Sequence, residues 1–415
     1  MKFWKRLSQE ACKLRIQDAL KENVNFYHDY SLGYPASALD NKVFYNDAPF
    51  LKDAPTLQTY VANPNHIGCH TLGLSEKAFK GTQEIEIDVL NCLAVDMFKA
   101  NPGEFDGYIS PGGTEANIQA LWIYRNFFLK QGATPDEIVI LASEDTHYSI
   151  AKGSNLLMID WISVAVDSDQ RFILEHSLNE CIDKALEKGK KYFIVVANMG
   201  TTMFGSVDSV QLYVDALDQR NLTYKLHVDG AYGGFVFPFS HPENEMNFGN
   251  PAVSSITIDA HKMLQAPYGT GIFVCRKGLI EHVLTKEAAY VEGMDLTLCG
   301  SRSGANAVAV WMVLMTHGPH GWSEKISVLQ MRTTWLCKKL DELGVTYFRE
   351  PSMNLVTIRA AHISDALAEK YTLVPQSHDE DNQWYKIVIM HHVEMEAMTA
   401  FLADLKAENE KVLTS

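Results

Sequence analysis

The sequence offers little covalent reinforcement. Its seven cysteines are scattered, odd in number and free of any Cys-x-x-Cys spacing, which argues against a disulfide framework or a structural zinc site. A reducing cytoplasm is the expected compartment. Positive charge is also in short supply, with 36 Lys and Arg against 51 Asp and Glu and a formal net charge of −15. Such a chain is poorly suited to replace phosphate counterions on nucleic acid, and its charge favours solubility. No apolar run reaches the length of a membrane span. The opening Met1-Lys2-Phe3-Trp4-Lys5-Arg6 leads into no secretory-length apolar stretch, because Glu10, Lys13, Arg15 and Asp18 interrupt it. Internal repeats, low-complexity tracts and long linkers are missing. Neither Gly-x-Gly-x-x-Gly nor a Walker sequence occurs, so neither a dinucleotide fold nor an NTPase follows. His391 and His392 read as a strand-end pair, since no third metal ligand has a readable spacing; no metal is expected.

What is present is apolar material in quantity. Over 415 residues, 47% are hydrophobic and 21% charged, enough for one large core and a smaller second one. Short β-branched or aromatic runs alternate with longer amphipathic ones: 105–110 then 114–131, 137–142 then 148–157, 161–166 then 175–188. The rhythm continues through 192–198, the helix-like 210–220 and 224–228, and ends in strand candidates at 254–258 and 271–275. This predicts an α/β fold whose large, mostly parallel sheet is covered by helices. From about 303, a long helical run to 343, strand-like 345–348, 355–358 and 385–390, and a helical 394–405 predict a small α+β domain. The expected division is an N-terminal segment at 1–60, a large domain at 61–302 and a small C-terminal domain at 303–415. In 10–23, Ala11, Leu14, Ile16, Ala19 and Leu20 fit one face of an amphipathic helix.

Ligands of open parallel sheets gather beyond the carboxyl ends of the strands, and those positions carry the chemistry. Ser110-Pro111-Gly112-Gly113-Thr114-Glu115-Ala116-Asn117 opens a helix. Its glycines permit close backbone approach, and the helix start offers unpaired N–H groups to an anion; taken alone, the turn also reads as ordinary capping. Asp145-Thr146-His147-Tyr148-Ser149 follows the next strand, where His147 alone reads equally as a core-edge histidine. Asn198-Met199-Gly200-Thr201-Thr202 ends another, with an ordinary loop as its plain reading. The run 224–228 leads to Asp229-Gly230-Ala231-Tyr232, and 254–258 leads to Asp259-Ala260-His261-Lys262. A carboxylate and a lysine there read either as a buried ion pair or as part of a pyridoxal site. Pyridoxal phosphate needs a lysine for its Schiff base, a carboxylate at its ring nitrogen, a flat partner over the ring and an anion-binding helix start.

The set resembles the group II pyridoxal-dependent amino-acid decarboxylases of fold type I, the aspartate aminotransferase-like fold. It looks closest to the branch with bacterial histidine and plant serine decarboxylases. Gly112-Gly113-Thr114-Glu115, Thr146-His147-Tyr148-Ser149, Val228-Asp229-Gly230-Ala231, His261-Lys262 and Gly300-Ser301-Arg302-Ser303-Gly304 carry the likeness, over roughly 66–310. The resemblance implies pyridoxal 5'-phosphate as cofactor and decarboxylation of an L-amino acid; another pyridoxal-dependent lyase, an aminotransferase, or a non-catalytic cofactor-binding paralogue are the other readings. It implies Lys262 as the Schiff-base lysine, Asp229 at the pyridinium nitrogen, His147 stacked on the ring and Ala231 on its opposite face. Gly113 and Thr114 would meet the phosphate with His261 beside it, and Thr201 would sit near the ring hydroxyl. Ser301 would reach the phosphate of the partner subunit in a homodimer with shared sites, and the N-terminal helix would embrace that partner. Tyr290 would donate a proton to the substrate carbon, or it is a surface or interface tyrosine. Asp259 departs from the Asn or Ser frequent in relatives: a carboxylate there repels the phosphate unless it is turned away or paired.

Overall fold

The computed structural model describes residues 32–33, 65–67, 80–286, 293–378 and 382–414. Strands are β1 (Asn65–Ile67), β2 (Phe105–Ser110), β3 (Ile138–Ser143), β4 (Asp160–Val164), β5 (Tyr192–Asn198), β6 (Thr223–Gly230), β7 (Val253–Asp259), β8 (Gly271–Arg276) and β9 (Ser301–Ser303). Seven of them form one sheet in the order β2-β8-β7-β6-β5-β3-β4. The pairs from β7 to β4 are parallel, and β8 runs antiparallel to both β7 and β2. The mostly parallel sheet expected from the alternating runs is therefore present, with one reversed strand.

Helices cover both faces. The larger are α1 (Lys80–Asn91), α2 (Gly113–Lys130), α3 (Ser149–Leu157), α4 (Glu175–Glu187) and α5 (Val210–Asp218). Period-2 alternation divides the strands between two cores. Leu141, Val195, Val228, Ile256 and Val274 join one apolar cluster, whereas Ile140, Ile194, Phe273 and Cys275 join another with Ala120, Tyr124 and Phe128 of α2. Each fully buried Phe or Leu in these layers contributes about 1.5–3 kcal/mol through area removed from water.

The C-terminal part begins with α6 (Gly304–Glu342), which is two helical stretches meeting at Gly318 (φ 58°) and Pro319. Proline has no N–H for the helical ladder, and glycine takes the left-handed φ, so the break falls there. A second, antiparallel sheet follows, ordered β10 (Tyr347–Phe348), β11 (Leu355–Arg359), β13 (Trp384–Val388), β12 (Val374–Pro375). It is flanked by α7 (Asp365–Lys370) and α8 (Met395–Thr414). Two strands stop short of the last residue that the sequence reading gave them. β4 stops at Val164 because Val166 instead bridges Ile173 across a turn, and β13 stops at Val388, beyond which Met390 N–H turns back to the Val388 carbonyl. The expected helix at 10–23 lies outside the described residues.

Candidate active site

The carboxyl ends of β2, β3, β6 and β7 surround a cavity of about 530 Å³ whose walls include Gly113, Thr114, Asn117, His147, Tyr148, Ala231, Asp259, His261, Lys262 and Leu298. Most of the residues singled out in the sequence meet here. Gly113 begins α2, and a side chain on it would put Cβ 2.7 Å from Asp259 Oδ2 and 3.2 Å from Ala231 Cβ. Only glycine lets the helix start come this close to the ends of β6 and β7. Gly271 performs a similar task one strand away, where Cβ would fall 2.4 Å from the Gly112 carbonyl carbon.

At this end of the cavity, Lys262 Nζ lies 3.2 Å from Asp259 Oδ2, and His261 Nε2 lies 3.7 Å from the same oxygen. The misfit carboxylate is thus paired, which answers the concern its sequence position raised. The pairing is incomplete: Asp259 Oδ1 and His261 Nδ1 are buried without a hydrogen-bond partner. Buried orphan polar atoms are destabilising by about 1–3 kcal/mol each, and two side by side in a cavity wall mark a place where a polar ligand belongs. Burial, opposed by the Asp259 charge, pushes the His261 imidazole below its ordinary value.

The floor lies behind the lining residues Asn117, His147 and Ala231, and Asp229 itself does not line the cavity. On β6, His227 and Asp229 share a face, as do Ser255, Thr257 and Asp259 on β7, and all are buried. Asp229 Oδ2 accepts from Asn117 Nδ2 at 2.8 Å and Oδ1 accepts from the Ala231 N–H at 3.1 Å. Asn117 also donates to Ser149 Oγ at 2.9 Å, and that hydroxyl lies 2.9 Å from His147 Nδ1. The His147 ring packs against Tyr148 with centroids 4.1 Å apart. Burial pushes the His147 imidazole below its ordinary value, and the charge of Asp229 opposes the shift.

Other sequence-selected residues stand elsewhere. Thr201 follows Gly200 (φ 90°) in a tight turn. Its hydroxyl pairs with Ser206 Oγ at 2.8 Å rather than lining the cavity. Ser301 is exposed because β9 alternates: the neighbouring Arg302 takes the buried side and pairs with Glu86, leaving Ser301 outward. It does not line the cavity of its own chain. Tyr290 lies outside the described residues.

Several site residues had gone unread. Asn117 stands one turn into α2 on the side of Gly113, and His227 stands two before Asp229 on one strand face; helical and strand periodicity alone would have found both. Glu115, pushed up to about 7 by burial, accepts from Tyr108 OH at 2.9 Å at the cavity wall. Lys386 of β13 has no such local signal. It reaches from the small sheet to donate to the Thr202 carbonyl at 3.0 Å, and burial with the positive charge of Lys262 lowers it to about 8.

Comparison with known proteins decides what this cavity belongs to. Residues 58–360 match the pyridoxal-dependent decarboxylase conserved domain. The chain belongs to that family. It is 52% identical over 414 residues to a tryptophan decarboxylase of Clostridium sporogenes, covering 100% of this chain and 99% of that protein. A histidine decarboxylase of Pseudomonas entomophila, from the branch the motifs resemble, is 27% identical over 330 residues, covering 79% of this chain and 77% of that protein. Among solved structures, L-methionine decarboxylase from Streptomyces sp. 590 superimposes with a TM-score of 0.76 at 22% identity, covering 97% and 96% of the two chains. That likeness shows the fold, fold type I, which the sequence reading expected. The chain is a pyridoxal phosphate-dependent amino-acid decarboxylase. Its residues fit the cofactor: the Lys262 amine, the bare helix start at Gly113 and His261 with its unpartnered Nδ1 line one cavity, and Asp229, held on both oxygens, lies behind the lining residues Asn117 and Ala231 that hold it. Among the described residues, no helix is long and apolar enough to cross a membrane.

Proposed function

We propose that this enzyme decarboxylates an aromatic amino acid, with L-tryptophan as its substrate. The observation that carries this reading is the full-length similarity to a tryptophan decarboxylase at 52% identity. The cavity agrees with it: beyond the charged end at Asp259, His261 and Lys262, its wall carries Ile118, Tyr148 and Leu298. Tyr148 and Leu298 are partly open to solvent, which suits a flat apolar side chain entering from that side.

In this reading Lys262 would hold the cofactor covalently through its Nζ. The cofactor supplies an electron sink for the bond that breaks. Asp229 keeps a proton on the ring nitrogen, because a carboxylate fixed by two donors is an oriented acceptor for that N–H. His147 covers one face of the ring and Ala231 the other. The Gly113 and Thr114 backbone and His261 receive the phosphate at the start of α2. Thr201 stands near the ring hydroxyl only if it gives up its bond to Ser206. Tyr290 returns a proton to the substrate carbon.

The same reading makes the enzyme a cytoplasmic homodimer, with Ser301 of each chain completing the other's phosphate site. Its outward orientation beside buried Arg302 supports this, as does the exposed apolar surface at Tyr148 and Leu298. The free cysteines, Cys275 and Cys337 among them, suit a reducing compartment. It also assigns 61–302 to cofactor binding and 303–415 to the small domain, with 1–60 packed on the partner. A panel of amino acids tests the substrate, with carbon dioxide and amine measured together. Tryptamine and carbon dioxide should form one to one from L-tryptophan with the highest kcat/KM of the panel; a higher value for histidine, serine or aspartate overturns the assignment. Mixed dimers test the rest: inactive Lys262→Ala chains combined with Ser301→Glu chains should regain part of the activity, and verified hybrids without recovery exclude a shared site.

A further inference from the structure

The floor of the cavity contains a hydrogen-bond chain whose direction is fixed by donor counting. Asn117 uses both amide hydrogens, on Asp229 Oδ2 and Ser149 Oγ. Its Oδ1 therefore faces His227 Nε2, 3.0 Å away, and that nitrogen must carry a hydrogen. Burial holds His227 down at about 4, so at neutral pH its Nδ1 is bare and accepts from the Ser255 hydroxyl at 2.7 Å. Ser255 has then used its only hydrogen, so the Tyr124 hydroxyl donates to it. Thr257 Oγ1, 3.2 Å from His227 Nε2, shares that N–H as an acceptor. At the other end, Ser149 accepts from Asn117 and so gives its hydrogen to His147 Nδ1, which also receives the Ser149 N–H at 3.2 Å. One directed chain thus runs from Tyr124 through Ser255, His227 and Asn117, and forks to Asp229 and to Ser149 and His147.

We propose that Asn117 is the positioning residue of this enzyme, joining the Asp229 carboxylate that would meet the ring nitrogen to His147 that would pack on the ring face, with His227 setting which way its amide faces. This rests on the roles given to Asp229 and His147. No other donor among those described reaches Asp229 Oδ2. Without the amide that carboxylate swings about its χ2, and Ser149 loses the donor that orders its hydroxyl. A carboxylate displaced by a fraction of an ångström no longer points along the ring nitrogen, while the Ile118, Tyr148 and Leu298 wall proposed for the substrate side chain is unchanged. The effect therefore falls on kcat and on the spectrum of the bound cofactor, not on KM.

Three variants, purified as holoenzymes, test it: Asn117→Ala, His227→Leu and His227→Gln. Glutamine places an N–H near the position of His227 Nε2 and is the conservative rescue. Asn117→Ala should lower kcat by about 10–100-fold with KM within about threefold. It should also change the visible circular dichroism of the bound cofactor and move the pH midpoint of its absorbance. His227→Leu, at a residue that does not itself line the cavity, should do the same to a lesser degree, and His227→Gln should restore most of the loss. Because His227 acts through Asn117, the double variant Asn117→Ala with His227→Leu should be no worse than Asn117→Ala alone. If Asn117→Ala yields no holoenzyme, the His227 pair carries the test unaided. Unchanged dichroism and pH midpoint, a loss confined to KM, multiplicative losses in the double variant, or failure of glutamine to rescue where leucine damages each overturn the proposal. If Asp229→Ala is inactive while these variants behave as wild type, the role of Asp229 stands and that of Asn117 falls.

Discussion

The two ends of the cavity are built on opposite plans. Beneath Asp229 both carboxylate oxygens have donors, and His227, Ser255 and Tyr124 extend the network into the core. Around Asp259 the pairing is partial, and one carboxylate oxygen and one imidazole nitrogen have no partner. A satisfied network rigidifies a polar floor, whereas an unsatisfied one in a cavity wall stays expensive until a ligand arrives. In the proposed reading the floor aims one carboxylate, and the end at His261 would be completed by the phosphate from outside.

Removing Lys262 strikes the open end hardest. Lys262→Ala should abolish steady turnover, a loss of at least about 1,000-fold when a covalent group is deleted, along with the yellow lysine-bound absorbance. Borohydride reduction followed by peptide mapping checks the assignment in the wild type; an adduct on any other lysine breaks it. Asp229→Ala comes next and strikes the satisfied end. Turnover should fall by about 100-fold or more, the scale of losing one oriented proton-holding group, while cofactor remains bound, because the anion-binding helix start is intact. Loss of cofactor in parallel with activity would mean that the floor also holds the ligand, and the contrast between the two ends would collapse.

How far this contrast was legible in the sequence follows from the range of the interactions. The strand and helix rhythm from 105 to 276 depends on local periodicity, so the sheet and the residues at its carboxyl ends could be read almost in register. Lys262, Asp229, His147, Gly113 and Ala231 stand out in the sequence because each sits just past an apolar run. Asn117 and His227 required one more step, asking which residues share a face with those already chosen. Thr201 was read from its position in a turn, but its hydroxyl bonds to Ser206 within that turn, a choice made by loop geometry that no spacing encodes. Lys386 was invisible, since nothing near position 386 announces a contact with Thr202, 184 residues away in sequence. The pairing of Asp259 belongs to the same class, because it depends on where a side chain turns.

Asp259→Asn sharpens the open end with a smaller effect. In the free enzyme the carboxylate holds the Lys262 amine that must react, and after binding it would face the phosphate. Removing its charge eases both, so cofactor should bind about tenfold more tightly, roughly 1.4 kcal/mol on the standard conversion, as measured by equilibrium dialysis. Weaker retention in Asp259→Asn would show instead that the carboxylate supports the phosphate through His261, and the repulsion argument would fail.

The last effect concerns the satisfied end and is read in stability, not in turnover or cofactor retention. His227 ordinarily titrates at 6.5 in an unfolded chain and is held at about 4 in the fold by burial. Between these values the unfolded chain binds a proton that the folded one refuses, so stability is intact above about pH 6.5 and declines as pH falls toward 4. The full contribution is on the order of 3 kcal/mol, from 1.36 kcal/mol per pK step. Glu115 and Asp208, both pushed up to about 7 by burial, pull the other way, losing stability as pH rises from their ordinary values toward 7. Total stability therefore hides the histidine, and the difference between wild type and His227→Gln isolates it. Glutamine keeps an N–H for Asn117 and does not titrate, so its melting temperature should gain on wild type as pH falls from 6.5 to 4.5 and run parallel to it above pH 7. Parallel curves throughout would mean that His227 takes up its proton inside the fold, with Asn117 turned to accommodate it, and the fixed direction of the chain beneath Asp229 would be lost.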